Sequence, residues 1–352
     1  MLRLTADELR AAGEAIFRAA GADEANTSIL VEHLVDANLC GHDSHGVIRI
    51  PSYVRGIKAG QIAPAAQPAV VRETAAMTLI DANQTFGQVS ARYATDAVVA
   101  KARAQGVAVA GTFNGNHIGR LGYYPTRAAA QGIVLLVAYG TLGRSGAPYG
   151  GRSGALGTNP IALGFPAGEG AAGPFLLDFA TTAIAAGKVM VARDKHEPLP
   201  PDTMIDRDGQ PTTDPNALSE GGALLPFGGH KGYALSLMAV LLSTVLVREN
   251  APGEAGADGG KVFFCAVDAG VFGDGAPDAA GAVFDRLRRV PPAEGFESVL
   301  VPGDPERRSA ERRRAEGVPV AEDTWEAVRA TAAELGVTVQ AGSGVRATPA
   351  AG

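Results

Sequence analysis

Val107-Ala-Val-Ala-Gly-Thr-Phe113 and the run that follows it, Ile133-Val-Leu-Leu-Val-Ala-Tyr139, decide the fold of this chain. Both runs are short and apolar, which is typical of strands that are buried on both faces. A helical pattern from Leu121 to Gln131 separates them and is closed by a glycine. Because strand, helix and strand in this order make a βαβ unit, we expect the two strands to be neighbours in one sheet.

Further elements of an α/β fold surround this unit. The helix from Tyr233 to Val247 is the longest apolar run, but it is shorter than the roughly 20 residues that cross a bilayer. We therefore expect a buried core helix there and no membrane span. The other predicted elements are a helix from Arg92 to Gln105, a strand pair at 161–165 and 175–179, an exposed loop at 250–260 and a strand at 262–267.

Both ends of the chain are predicted to be helical. Thr5 and Glu8 form a capping box ahead of a first helix, and a second helix is expected from Asp23 to Cys40. Beyond Pro291 the chain is helical again and carries a run of arginines, which we interpret as a solvated helix face. We expect residues 1–70 and 291–340 to form one helical domain, residues 71–290 to form an α/β domain, and residues 341–352 to be a disordered tail.

Composition narrows the class of protein. The 352 residues are 46% hydrophobic, which is enough for a large buried core, and the formal net charge is −6. An acidic balance leaves no basic footprint for nucleic acid or for an anionic membrane. Cys40 and Cys265 are the only cysteines and have no metal-binding spacing. Because the N-terminus also lacks a signal-peptide pattern, we expect a cytoplasmic protein.

A glycine-rich run imitates a dinucleotide-binding fingerprint. Gly168-Glu-Gly170-Ala-Ala-Gly173 has the spacing G-x-G-x-x-G, but that motif works only between a strand and a helix. Here a strand is predicted to follow at Phe175, so we interpret the glycines as a hairpin loop. The run Gly228-Gly-His-Lys231 also lacks the spacing of a Walker A motif. If a dinucleotide binds, it binds without the usual fingerprint.

The densest group of chemically active side chains is Gly41-His-Asp-Ser-His-Gly-Val-Ile-Arg-Ile-Pro-Ser-Tyr53. If this segment is helical, His45 and Arg49 lie four residues apart on one face, although Pro51 disfavours an uninterrupted helix. A histidine exchanges a proton near neutral pH, and an arginine grips a carboxylate through two hydrogen bonds. The segment therefore predicts a site for an acid substrate. The alternative is a capping cluster that satisfies helix ends, which is the role that we favour for His42.

Three further segments carry polar groups at predicted strand ends or helix starts. His117 follows a predicted strand, and Lys231 stands where a phosphate could meet the N-terminus of the apolar helix. Asp178 is followed by paired hydroxyls at Thr181 and Thr182, which could bind a ribose or a phosphate. Each segment also has a plain structural interpretation, as a capped turn, a solvated glycine turn or a helix cap.

A metal site and a non-catalytic role are the alternatives to a redox enzyme. His42, His45 and His117 are credible ligands for a metal-dependent hydrolase or lyase, but no recognised ligand spacing is present, so we expect no metal. A nucleotide-binding protein without turnover would keep the same pocket. The residues alone leave both alternatives open.

Five ordered motifs together carry a resemblance to a known family. From its first helix to about Trp325 the chain resembles the malate/L-lactate dehydrogenase family, which is unrelated to the Rossmann-type enzymes and includes ureidoglycolate dehydrogenase, diketogulonate reductase and sulfolactate dehydrogenase. The resemblance implies an α/β (α+β) fold, with a non-Rossmann mixed-sheet cofactor domain and a helical domain drawn from both chain ends. It also implies a homodimer with the active site near the domain and subunit junction. The motifs are Gly41-His-Asp-Ser-His-Gly-Val-Ile-Arg49, Asn116-His-Ile-Gly-Arg-Leu-Gly-Tyr-Tyr124, Gly157-Thr-Asn-Pro-Ile-Ala162, Leu177-Asp-Phe-Ala-Thr-Thr182 and Pro226-Phe-Gly-Gly-His-Lys-Gly-Tyr233.

The resemblance further implies a reaction and the residues that serve it. A hydride would pass between NAD or NADP and a small 2-hydroxy or 2-oxo acid. His45 would exchange the proton with the substrate oxygen with help from Ser44, and Arg49 would hold the substrate carboxylate. Tyr53 and His117 would line the same pocket. The nucleotide would be bound by Asp178, Phe179, Ala180, Thr181, Thr182, Lys231, Gly303, Asp304 and Pro305.

Overall fold

The computed structural model describes residues 1–168, 172–194, 196–247 and 260–339, which form a mixed α/β protein. Its helices are α1 (Ala6–Ala19), α2 (Glu24–Leu39), α3 (Ile50–Lys58), α4 (Gly87–Gln105), α5 (Tyr123–Ala129), α6 (Ala186–Asp194), α7 (His230–Val240), α8 (Ala276–Arg288), α9 (Asp304–Glu316) and α10 (Glu322–Glu334). Its strands are β1 (Leu2–Leu4), β2 (Ala69–Glu73), β3 (Met77–Asp81), β4 (Val107–Phe113), β5 (Ile133–Tyr139), β6 (Leu142–Gly146), β7 (Ile161–Phe165), β8 (Phe175–Phe179), β9 (Met204–Ile205), β10 (Pro211–Thr212), β11 (Ala223–Leu224), β12 (Val262–Asp268) and β13 (Val318–Val320).

The central sheet has seven strands in the order β2-β3-β4-β12-β5-β7-β8. β3 and β4 are parallel and the other neighbouring pairs are antiparallel, so the sheet is mixed. The predicted strands at β4 and β5 and the α/β class are confirmed.

The expectation that β4 and β5 pair with each other is wrong, because β12 lies between them. Cys265 of β12 faces Val109 of β4 on one side and Leu136 of β5 on the other. Helix α5 still packs against β5, as in a crossover connection, but the gap that it spans holds a third strand from far along the chain. Sequence order indicates which elements exist and does not indicate which distant strand fills the space between them.

The glycine-rich run that imitates a fingerprint connects two paired strands. β7 and β8 are antiparallel neighbours, with Phe165 opposite Phe175, so the predicted strand pair is confirmed. The run therefore joins a strand to a strand, which is not the context that a dinucleotide fingerprint needs. Residues 169–171 of the run lie outside the described residues.

The two ends of the chain fold together into one helical core. The predicted cap of α1 is confirmed: the Glu8 amide donates to the Thr5 hydroxyl at 3.1 Å, and the Thr5 amide donates to the Glu8 carboxylate at 2.7 Å. β1 pairs with β13, with Leu2 opposite Val320. The buried side chains of this core include Leu4, Leu9, Ile16, Phe17, Leu30, Leu34, Ile50, Val318, Trp325, Val328 and Ala332. α1, α2 and α3 are thereby packed in one core with α10.

The apolar helix at α7 is not buried all round, which corrects the expectation of a core helix. One face packs against the central sheet at Ala138 and Ile161. The opposite face exposes apolar side chains along α7 and the π-helical turn that continues it, namely Leu237, Leu241, Val245 and Leu246. A helix with two apolar faces needs a packing partner for each face, and the sheet packs against only one of them. No helix in the described ranges is long and apolar enough to cross a membrane.

A second sheet, in the order β10-β9-β11-β6, was not predicted from the sequence. Three of its strands have only two residues, too few to show an alternating pattern. The segment ahead of it is placed against the helical core: a Cβ atom on Gly187 of α6 would lie 2.8 Å from Ser44 Cβ. Residues 250–259 of the predicted loop and the predicted tail at 341–352 lie outside the described residues.

Candidate active site

The segment that carries His45 is not one helix. It forms two 3₁₀ turns, Asp43–His45 and Val47–Arg49, before α3 begins, so the expectation of a shared helix face for His45 and Arg49 is wrong. Gly46 interrupts the helical backbone with φ −90° and ψ −149°, and Pro51 stands in the first turn of α3. Arg49 nevertheless turns back, because its Nε donates to the Ser44 carbonyl oxygen at 2.6 Å.

Two side chains that sequence reasoning missed, Asn38 and Arg313, fix the shape of these turns. Asn38 donates to the Asp43 carboxylate at 2.7 Å and accepts the Val47 amide at 2.9 Å. Arg313 of α9 donates to both oxygens of Asp43, at 2.6 and 3.0 Å. Gly46 is required here, since a Cβ would lie 2.1 Å from the Asn38 amide oxygen. Arg313, which belongs to the arginine run that was predicted to be a solvated helix face, therefore holds Asp43 in place instead.

His117 lies in the loop that follows β4. The next turn is anchored from α2: the Arg120 amide donates to His33 Nε2 at 2.9 Å, and Gly119 adopts φ +73° to allow it. On the other side, a Cβ on Gly87 would lie 2.3 Å from the Asn116 carbonyl oxygen and 2.4 Å from that of His117. The first turn of α4 therefore packs directly on the backbone that carries His117.

The structure brings His45 and His117 together. Their rings are stacked with centroids 5.5 Å apart. Burial, with the charges of His117 and Arg49, lowers the pKa of His45 to about 3, and burial with Arg49 lowers the pKa of His117 to about 4. Both rings are therefore neutral at pH 7 and can accept a proton. His45 Nδ1 lies 3.0 Å from the Ser44 hydroxyl.

Tyr53 contacts the same cluster from α3. Its hydroxyl lies 2.8 Å from His117 Nδ1, and burial raises its pKa to about 12, so it keeps its proton. His42 is placed differently from the stacked pair, since its Nε2 lies 3.3 Å from the Glu306 carboxylate. Among the described residues, no group of three or more His, Cys, Asp or Glu side chains could hold a metal ion.

Asp178, predicted to bind nucleotide, lies at the end of β8 beside the His117 loop. Its Oδ2 accepts the Gly122 amide at 2.7 Å, and burial raises its pKa although Arg120 opposes the shift. The Arg120 side chain is 3% exposed and donates to Asp36 at 2.7 Å. Its Nε and Nη1 have no hydrogen-bond partner in the described part of the chain. These two nitrogens are buried within the protein, and the charge of Arg120 is balanced by the nearby carboxylates of Asp36 and Asp178.

The remaining residues predicted to bind nucleotide are largely engaged in local contacts. Thr181 donates to the Thr158 carbonyl oxygen and Thr182 to that of Ile184. Lys231 is exposed in the first turn of α7. Asp304 opens α9, where Gly303 has φ +101°; its carboxylate binds Arg288 at 2.8 Å and also contacts Arg307 and the Val301 amide.

Comparison with known proteins identifies the family of the chain. The family model described as malate/L-lactate dehydrogenase matches residues 4–329. The chain is 35% identical to hydroxycarboxylate dehydrogenase B of Escherichia coli K12 over 346 residues, 95% of each chain. It is 36% identical to L-sulfolactate dehydrogenase of Methanothermobacter thermautotrophicus over 334 residues, 92% of this chain and 95% of the relative. A crystal structure of malate dehydrogenase from Entamoeba histolytica superposes with a TM-score of 0.88 at 26% identity and covers 96% of this chain and 98% of that one.

These matches span nearly the whole chain, and the relatives are named as dehydrogenases. They favour an oxidoreductase over the metal-dependent hydrolase or lyase that the histidines alone left open. The matched residues include both stacked histidines and the end of β8. The chain belongs to the malate/L-lactate dehydrogenase family.

Proposed function

We propose that the protein is an NAD(P)-dependent dehydrogenase or reductase of small 2-hydroxy and 2-oxo acids. The observation that carries this proposal is the stacking of two neutral imidazoles, His45 and His117, within reach of the charge of Arg49. A base and a cation side by side match the two ends of a 2-hydroxy acid, namely a hydroxyl proton and a carboxylate. The family to which the chain belongs supports the same class of substrate.

Each side chain has a distinct task in this proposal. Arg49 binds the substrate carboxylate through its guanidinium. His45 takes the proton of the hydroxyl group during oxidation and returns it during reduction, while the Ser44 hydroxyl orients the ring through Nδ1. His117 and Tyr53 line the pocket on the other side of the substrate oxygen.

NAD or NADP would supply the hydride acceptor or donor when bound. Membership of the family supports such a cofactor, and we place it at the end of β8 near Asp178. We assign the cofactor to the residues predicted from the sequence, which are Asp178, Phe179, Ala180, Thr181, Thr182, Lys231, Gly303, Asp304 and Pro305. Because Thr181, Thr182 and Asp304 make local hydrogen bonds, we expect them to shape the binding turns rather than to supply free side-chain donors.

We also propose a cytoplasmic homodimer with two domains. The exposed apolar face of α7 and its π-helical turn, which includes Leu241 at 49% exposure, supports a surface covered by a second copy. Two free cysteines, Cys40 and Cys265, suit a reducing compartment. The shared core of both chain ends supports a helical domain from residues 1–70 and 291–340 beside an α/β domain from 71–290.

The proposal is tested first by binding and then by turnover. Fluorescence titration with NADH and NADPH identifies the cofactor, and absorbance at the NADH band then follows malate, lactate, ureidoglycolate and diketogulonate as candidate substrates. We expect saturable binding of one nucleotide and turnover of at least one acid that is insensitive to chelators. Binding without turnover of any acid would instead indicate a non-catalytic nucleotide-binding protein, and activity abolished by chelators would indicate a metal-dependent enzyme.

A further inference from the structure

A chain of hydrogen bonds runs from α4 to the candidate active site through Gln88, Tyr53 and His117. Gln88 Nε2 lies 2.7 Å from the Tyr53 hydroxyl, and that hydroxyl lies 2.8 Å from His117 Nδ1. Gln88 is 1% exposed and Tyr53 is 7% exposed, so bulk water does not compete for these bonds. The three groups therefore depend on one another for hydrogen bonding.

The direction of these bonds follows from the chemistry of the groups. An amide nitrogen only donates, so Gln88 donates to the Tyr53 oxygen. A phenol has one proton, which is then directed to His117 Nδ1. The low pKa of His117 keeps its ring neutral at pH 7. A neutral imidazole that accepts at Nδ1 carries its proton on Nε2.

We propose that Gln88 and Tyr53 are positioning residues that fix His117 in the tautomer with its proton on Nε2, so that His117 donates a hydrogen bond to the reacting oxygen of the substrate. His45 alone then exchanges the proton. This inference deepens the proposed function and rests on it. It also separates two histidines that residue type alone does not distinguish.

The surroundings of Gln88 indicate that its amide nitrogen, rather than its amide oxygen, is the group that matters at this position. Among the described residues, its Oε1 has no hydrogen-bond partner, and a buried unpaired amide oxygen is costly. An apolar side chain of similar length would avoid that cost but could not donate to Tyr53. Gly87 packs closely on the backbone of Asn116 and His117. This contact fixes the position of the neighbouring Gln88 relative to the His117 ring.

His45 has a partner of a different kind. The Ser44 hydroxyl at its Nδ1 can rotate and serve as donor or acceptor, so the contact survives a change in the protonation of the ring. The amide and phenol behind His117 have a fixed direction. One ring is thus suited to exchanging a proton and the other to keeping one.

Nuclear magnetic resonance of protein labelled with ¹⁵N-histidine reads the tautomer without any substrate. The chain has six histidines, so the signals lost in His117→Gln assign those of His117. In the wild type we expect a pyridine-type Nδ1 and a pyrrole-type Nε2. In Tyr53→Phe both signals should move towards the average of the two tautomers. A wild-type His117 with its proton on Nδ1 would overturn the inference.

Two further variants sharpen the test. Gln88→Glu keeps the shape of the side chain, but its ionised carboxylate accepts from Tyr53, which must then accept from His117 Nδ1. Because burial raises the pKa of a carboxyl group, we expect the tautomer to reverse as this group ionises between about pH 6 and pH 9. Wild-type shifts at every pH in this range would contradict the role of Gln88 and Tyr53. Tyr124→Phe is the matched control, since it removes a buried tyrosine hydroxyl that donates to the Ile118 carbonyl oxygen in the same loop. It should leave the tautomer unchanged.

Kinetics distinguish positioning from substrate binding. With the proton removed from Nε2, we expect kcat for reduction of a 2-oxo acid to fall about 10²-fold in Gln88→Glu, as when a donor to a developing oxyanion is lost. KM should stay within about threefold, because Arg49 still holds the carboxylate. A rise in KM alone would overturn the positioning role. If no acid is turned over although the tautomers behave as described, the proposed function fails, but the control of the His117 tautomer by Gln88 and Tyr53 is still supported.

Discussion

The rings of His45 and His117 stack, with centroids 5.5 Å apart and planes 19° from parallel. One ring comes from a 3₁₀ turn of the helical core, and the other comes from a loop at the end of a strand of the central sheet. The contact therefore lies where these two parts of the molecule meet. Because burial lowers the pKa of both rings, the free protein presents two neutral imidazoles at pH 7 rather than an imidazolium beside an imidazole.

Removal of the His45 ring should abolish most of the activity. We expect His45→Ala to lower kcat by at least about 100-fold, which is the lower range for loss of a proton-transfer group. The measurement is the steady-state rate at the NADH band with the acid that gives the highest activity. His196→Asn is the control, since His196 is an exposed histidine. A kcat within tenfold of the wild-type value would assign proton exchange to another group.

Removal of the Arg49 charge should weaken acid binding and also shift the pH profile. We expect Arg49→Met to lower kcat/KM by at least about tenfold, because hydrogen bonds to a charged group are lost. The guanidinium is also one cause of the low pKa of both histidines, so the acid limb of kcat/KM should move to higher pH. Arg55→Met, an exposed position on α3, is the matched control. Kinetics and pH profile both unchanged in Arg49→Met would remove it from the site.

Acidification from pH 7 to pH 5 should lower the free energy of unfolding. Burial lowers the folded-state pKa of His33, His45 and His117. The unfolded chain takes up these protons near pH 6.5, whereas in the folded protein the pKa is about 4 for His117, about 3 for His45 and well below its usual value for His33. Stability is therefore complete above pH 6.5 and is lost as the pH falls below it. The expected loss is about 1.4 kcal/mol per pH unit for each ring that stays neutral.

Urea unfolding at several pH values measures this dependence. In the double variant His45→Gln/His117→Gln the decline between pH 7 and pH 5 should be shallower, because only His33 still contributes. The carboxyl groups with a lowered pKa act below this interval; they are Glu24, Asp304, Glu306 and Glu334. An equal slope in the wild type and the double variant would contradict the assignment.

A methyl group on Gly87 should displace the loop of His117. Its Cβ would lie 2.3 and 2.4 Å from two backbone oxygens, which cannot move as a flexible side chain would. We expect Gly87→Ala to lower both the melting temperature and kcat. Gly143→Ala is the matched control, since its nearest neighbours would lie 3.8 Å away. Full activity in Gly87→Ala would show that the loop is not held by this contact.

A charge on the exposed face of α7 should disrupt the proposed homodimer. We expect Leu241→Glu to convert a dimer into a monomer, as measured by light scattering after size-exclusion chromatography, because a buried charge opposes association. Val283→Glu places the same charge on an exposed apolar position of α8 and should leave the dimer intact. Dissociation by Val283→Glu with no effect of Leu241→Glu would move the interface to α8.

The sequence predicted the parts of this molecule that depend on local patterns. The capping box at Thr5, the strand pair around Phe165 and Phe175 and the apolar runs of β4 and β5 all follow from neighbouring residues. The position of β12 does not, because it depends on pairing between residues far apart in the chain. The second sheet was missed for a different reason, because three of its strands have only two residues.

The candidate site shows the same division. His45, Arg49 and His117 were found because their chemistry is visible in the residue types. Their supports, Asn38 and Gln88, look like ordinary polar residues of helices. Only the folded contacts, such as the bond from Gln88 to Tyr53, show what these residues do.

The late position of β12 in the chain has a consequence for biosynthesis. A ribosome finishes β4 and β5 long before it adds the strand that fills the space between them. Until then β4 and β5 each have an edge with unpaired backbone N–H and C=O groups. Such edges can pair with strands of other chains. Nascent chains that stall before residue 262 should therefore be the form of this protein most dependent on chaperones, however stable the finished molecule is.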